Sequence, residues 1–98
     1  MYAVVTRRRL NQARRQETQE RAAREFWPKL QAAPGFVSFS LIHGEDGTTT
    51  AVAFFESKAQ ADAFGEEGEK WQRTLDDLGH QLEGRNDGEV GQHITASS

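Results

Sequence analysis

Apolar residues along this chain come in short blocks separated by polar punctuation. Tyr2-Ala3-Val4-Val5-Thr6 is rich in β-formers and predicts a first strand, with Arg7 to Arg9 extending it or opening the next loop. Asn11 is a candidate helix N-cap. From Gln12 to about Ala33 there is no glycine, and Ala22, Ala23, Phe26, Trp27 and Leu30 recur at spacings of three and four, so one stripe of this helix faces a core. Pro28 predicts a kink near Arg24, because its ring displaces the carbonyl four residues earlier. Pro34-Gly35 ends the helix.

Phe36 to His43 reads as a second strand, Gly44-Glu45-Asp46-Gly47 as a hairpin turn and Thr48 to Glu56 as a third strand. Ser57 is an N-cap candidate for a second helix that starts at Lys58, is interrupted at Gly65 and Gly68, and resumes with the stripe Trp71, Leu75, Leu78 and Leu82. Glu83 to Gly88 reads as a loop and Glu89 to Thr95 as a final strand. The order is β-α-β-β-α-β. It predicts an α+β, ferredoxin-like domain over residues 1–95, an antiparallel four-stranded sheet with two helices on one face, and a tail over 96–98.

The strands carry more apolar surface than two helices can cover. Ala51-Val52-Ala53-Phe54-Phe55 is apolar on both faces, as is Tyr2-Ala3-Val4-Val5. The second strand alternates Val37, Phe39 and Leu41 against Phe36 and Ile42. A second copy laid on the uncovered face removes that exposure, so a homodimer is expected.

Composition narrows the chemistry. The 98-residue chain has no cysteine, which excludes disulfides, thiol nucleophiles and Cys-based zinc sites. It has no apolar run long enough to span a membrane. The N-terminal residues lack a signal peptide's layout, and a cytoplasmic protein is the expectation. The net charge of −3 hides an imbalance: residues 1–30 hold eight Lys/Arg and three Glu. Without a nucleic-acid motif, these arginines are expected to solvate a strand end and a helix face and to pair with the acidic second half. No nucleic-acid partner is expected.

The ending Phe26-Trp27-Pro28-Lys29-Leu30, the corner Pro34-Gly35-Phe36, and the exit Phe54-Phe55-Glu56-Ser57 running into Ala59, Ala61 and Ala63 resemble the antibiotic biosynthesis monooxygenase family, within the dimeric α/β barrels. The resemblance covers nearly the whole chain. It implies a pocket between the sheet and its helices in each subunit. Some relatives oxidise aromatic polyketide-like or quinol substrates with oxygen and neither metal nor flavin; others degrade haem. Family enzymes often show a histidine early in the second helix, where this chain has Ala63-Phe64-Gly65. Trp71 followed by His80 resembles the haem-degrading branch, but the asparagine that branch needs on its first strand is missing. Nine residues at about 100° each also turn His80 away from Trp71, toward solvent, unless Gly79 breaks the helix first.

The expected reading is therefore a monooxygenase-like protein without cofactor or metal, acting on a hydrophobic, aromatic small molecule. The other reading is a non-catalytic dimeric barrel that binds a small ligand. The candidate proton-transfer residues are His43, at the end of the second strand, and His93, on the final strand. Phe26, Trp27, Phe39, Phe54 and Trp71 are the candidate pocket walls. The three histidines have no metal-ligand spacing.

Overall fold

A computed structural model describes residues 1–97; the expected tail 96–98 therefore reaches Ser98, which lies outside the described residues. Among these residues five strands and four α-helices follow in the order β1 (Tyr2–Arg9), α1 (Arg15–Glu25), α2 (Trp27–Gln31), β2 (Phe36–His43), β3 (Thr48–Phe55), α3 (Lys58–Ala63), α4 (Gly65–Asp77), β4 (Gln81–Arg85) and β5 (Gly88–Glu89). All strand pairs are antiparallel, in the order β2-β3-β1-β4, with β5 also on β1. This is the ferredoxin-like arrangement expected from the element order.

Local chemistry explains the corners. In the β2–β3 hairpin, Asp46 Oδ1 accepts from the Thr48 backbone N–H (3.0 Å) and hydroxyl (2.6 Å), and Gly47 takes the positive φ of 85° that closes the turn. Ser57 caps α3 by accepting from the Gln60 N–H at 3.2 Å, while its hydroxyl donates to Gln60 Oε1. Helix α4 closes in a Schellman motif. The Gly79 N–H donates to the Asp76 carbonyl and the His80 N–H to the Leu75 carbonyl, with Gly79 at φ 85°.

Several boundaries differ from the sequence reading. Asn11 opens a 3-10 turn over Gln12–Arg14 without capping it, and its side chain donates instead to the Leu78 carbonyl at 3.2 Å. The first helix breaks at Phe26, so that Pro28 falls in the first turn of α2, where its missing N–H has no intrahelical role. The second break falls at Phe64; Gly65 and Gly68 lie inside α4. The strand expected at 89–95 is replaced by β4, Gln81–Arg85, and the two-residue β5, Gly88–Glu89. Leu82 therefore sits on a strand instead of continuing the α4 stripe. Past Glu89 the described chain has no regular structure, though the Val90 N–H donates to the Met1 carbonyl at 2.9 Å. A bulge between Phe36 and Ser38 shifts the β2 register and puts Phe36 on the same face as Phe39.

The core lies between one sheet face and the helices. Ala22, Phe26 and Leu30 pack with Ala61 and Trp71 over Ala53 and Phe55. The other face carries Ala3, Val5, Val52 and Phe54, with Ile42 55% exposed. The bulge takes Phe36 off this face, and alternation puts Ser38 and Ser40 on it, so it is an apolar strip along β1 and β3 rather than a wholly apolar sheet. Among the described residues, no helix is long and apolar enough to cross a membrane.

Candidate functional site

Strand pairing sorts the helix-facing side of the sheet into rows across β1, β3 and β2. Tyr2, Phe55 and Phe36 form an aromatic row at one end; Val4, Ala53 and Phe39 follow; then Thr6, Ala51 and Leu41; and last Arg8, Thr49 and His43. The two middle rows are floored by small side chains on β3, because Ala51 and Ala53 stand where Thr49 and Phe55 flank them. Above this floor lies a cavity of about 180 Å³, roofed by α1, α2 and α4 through Ala22, Phe26, Trp27, Leu30, Trp71 and Leu75. For scale, an apolar cavity of about 150 Å³ holds benzene.

Phe26 is the hub of the wall. Its ring stacks on Trp71 at 5.2 Å and 7°, and lies 5.4 Å from Trp27 and 6.1 Å, edge-on, from Phe39. Phe26, Trp27, Phe39 and Trp71 thus come together around the cavity. Phe54 does not join them: it points from the opposite face of the sheet, where its ring meets that of His93 at 5.9 Å. The alternation along β3 puts Phe54 and Phe55 on different faces, and only Phe55 is turned to the helices.

His43 lines the polar end of the cavity on its exposed side. Its Nδ1 lies 2.9 Å from the hydroxyl of buried Thr49, and among the described residues its Nε2 has no partner. His93 is away from the cavity. His80 departs from the solvent-facing position that helical periodicity gave it: it is 1% exposed and lines the cavity. The helix ends at Asp77, and the left-handed turn at Gly79 swings the next residue inward. The Asn11 backbone N–H donates to His80 Nδ1 at 2.9 Å. This fixes the proton on Nε2, which donates to the Thr18 hydroxyl at 2.7 Å; that hydroxyl donates in turn to the Arg14 carbonyl at 2.7 Å. Burial, and then the Arg8 and Arg14 charges, hold the His80 pKa below the usual imidazole range. Both ring nitrogens are taken, so His80 offers no ligand atom to a haem iron.

Arg8, 4% exposed, is the second buried group that the strand pattern left unremarked. Its Nε and Nη2 donate to Gln72 Oε1 (3.2 and 2.8 Å), and its Nη1 donates to Asp76 Oδ1 and the His80 carbonyl (both 2.7 Å). The guanidinium thus clamps the C-terminal end of α4, where helix carbonyls favour positive charge. Of the other basic residues, Arg9 pairs with Glu83, Lys29 with Glu67, Arg14 with Glu17 and Arg21 with Glu25. Thr6 and Trp71, which carry a hydroxyl and an indole N–H, also line the cavity. Among the described residues, no cluster of His, Cys, Asp or Glu could hold a metal ion.

No protein family and no curated protein matches the chain by sequence. Solved structures do match it by shape. A Nitrosomonas europaea protein classed with the antibiotic biosynthesis monooxygenases superposes with a TM-score of 0.69 at 18% identity, over 96% of this chain and 100% of that one. The chain has the fold of these proteins. A monooxygenase of Streptomyces coelicolor, solved in complex with nanaomycin D, gives a TM-score of 0.71 at 17% identity over 97% and 92% of the two chains. A dimeric ferredoxin-like protein from an uncultured marine organism gives 0.74 at 13% identity over 98% and 92%.

Proposed function

We propose that this chain is a monooxygenase-like protein that oxidises a hydrophobic aromatic small molecule with molecular oxygen, without metal, flavin or haem, and that its single domain, residues 1–95, works as a homodimer. One observation carries the reading: a cavity of about 180 Å³ walled by Phe26, Trp27, Phe39 and Trp71 has at its polar end a histidine, His43, with one ring nitrogen beside Thr49 and the other unengaged. The apolar walls desolvate the ring, and His43 takes the phenolic proton. The resulting anion supplies the electrons that reduce oxygen. One oxygen atom ends as a carbonyl on the ring, and the other leaves as water with two hydrogens that come from the substrate. The apolar strip of Ala3, Val5, Val52 and Phe54 supports the two-fold partner, as does the dimeric neighbour of like fold.

The test is oxygen uptake by purified, metal-free protein offered single-ring phenols and quinols. Uptake is expected, and is expected to fall about 100-fold or more in His43→Ala, the usual scale for losing a general base. A broad panel without uptake refutes the reading. A second reading, a non-catalytic ligand-binding barrel, is favoured by the engagement of both His80 nitrogens and of the Arg8 guanidinium, which takes His80 out of proton transfer and leaves His43 as the cavity histidine with a ring nitrogen unengaged among the described residues. Thermal stabilisation by a ligand without turnover supports that reading.

A further inference from the structure

We infer that the cavity is built for a phenolic compound with one aromatic ring, whose oxygen is held by the hydroxyl of Thr6. The inference rests on the reading above in taking the cavity as the ligand site, and it adds the ligand's size and its anchor.

Size follows from volume. About 180 Å³ is little more than the roughly 150 Å³ of an apolar cavity that holds benzene, so one substituted ring fits within the walls and the further rings of a three-ring skeleton would stand outside them. The space exists because β3 places alanines at 51 and 53, under Ala22 of α1.

The anchor follows from hydrogen-bond accounting. Thr6 is 6% exposed and sits in the middle of the floor, beside Ala51. Among the described residues, its hydroxyl has no hydrogen-bond partner. Yet no side-chain polar atom among them is fully enclosed without a partner, so the hydroxyl must border open space, and the space that Thr6 lines is the cavity. That space is where the hydroxyl's partner must lie, and a valine of the same shape would need none. The oxygen of a bound phenol satisfies the hydroxyl.

The experiment titrates phenol, toluene and anthrone under nitrogen, so that binding is read without turnover, by calorimetry or ligand-observed NMR. Phenol is expected to bind and anthrone to bind at least tenfold more weakly. In Thr6→Val, phenol affinity is expected to fall about three- to tenfold, the scale of one hydrogen bond, with toluene unchanged; Thr6→Ser restores phenol. Thr6→Ala is the second variant, which removes the hydroxyl without asking a branched carbon to repack. Ala51→Leu fills the floor and is expected to abolish binding of phenol and toluene alike. Phenol affinity that is unchanged in both Thr6→Val and Thr6→Ala overturns the anchor. Anthrone binding as tightly as phenol, or no phenol binding up to 10 mM, overturns the size argument. Phenol binding that persists without oxygen uptake removes the oxidation reading and leaves this one standing.

Discussion

Replacing His80 by alanine tests how the cavity's polar end is held together. The substitution deletes a ring that is 1% exposed and removes partners from the Asn11 N–H and the Thr18 hydroxyl. Thr18 keeps its bond to the Arg14 carbonyl, so one half-buried donor, the Asn11 N–H, is left unpaired. That costs about 1–3 kcal/mol, and the vacated ring adds a similar amount, for a total of roughly 3 kcal/mol. In a domain of this size each kcal/mol moves the Tm by about 4–8 °C, so His80→Ala should melt roughly 12–24 °C lower. The pH dependence gives a second handle. The unfolded imidazole titrates near about 6.5, and the folded one below that, because burial disfavours its charge. Between the two values the unfolded chain binds a proton that the folded chain lacks. This contribution to stability is full above about pH 6.5 and is lost as pH falls toward the folded pKa, at no more than about 1.4 kcal/mol per pH unit. Urea unfolding at pH 7.5, 6.5 and 5.5 measures it in both proteins. The gap between wild type and variant should narrow as pH falls; a gap that is constant or widens refutes the assignment of a neutral, doubly bonded His80.

Other expectations follow from the same contacts. Arg8→Met strands the Gln72 side-chain and His80 carbonyl oxygens and should cost about 3 kcal/mol by chemical denaturation, whereas Asp76→Asn, at a carboxylate 59% exposed, should cost about 1 kcal/mol or less. Ser57→Ala removes the α3 cap and should lower stability by about 1 kcal/mol without altering ligand binding. Val52→Glu puts a charge in the middle of the uncovered strip and should convert a dimer into a folded monomer by sedimentation velocity; an unchanged sedimentation coefficient counts against that interface.

Much of the architecture is written locally. Asp46-Gly47 between two β-rich runs, Pro34-Gly35 after an apolar stripe and Ser57 three residues before Gln60 each specify their corner through contacts within a few residues. What local pattern cannot carry is β4. Gln81-Leu82-Glu83-Gly84-Arg85 has no β-branched residue and becomes a strand because β1 offers it an edge. The site shows the same division. Phe26, Trp27, Phe39 and Trp71 are legible as inward-facing by their spacing, and His43 by the alternation of β2. Phe54 misleads because adjacent phenylalanines look alike in sequence while the pleat sends them to opposite faces. His80 misleads because helical periodicity was carried three residues past the helix end. Thr6 and Arg8 share the inward phase of Val4, yet nothing local separates an arginine at a strand end in solvent from one whose partners lie 64 and 68 residues away.

Both helical segments over the sheet are split, one at Phe26 and the other at Phe64, and the two rings meet at 6.0 Å. The lid of the cavity is thus four short rods meeting at an aromatic joint rather than two continuous beams. The packing of Phe26 on Phe64 is therefore the point through which a guest bears on all four rods. In amide exchange, a guest molecule would then register as slower opening at the joint residues and in the two shortest rods, α2 and α3, with the sheet beneath unaffected.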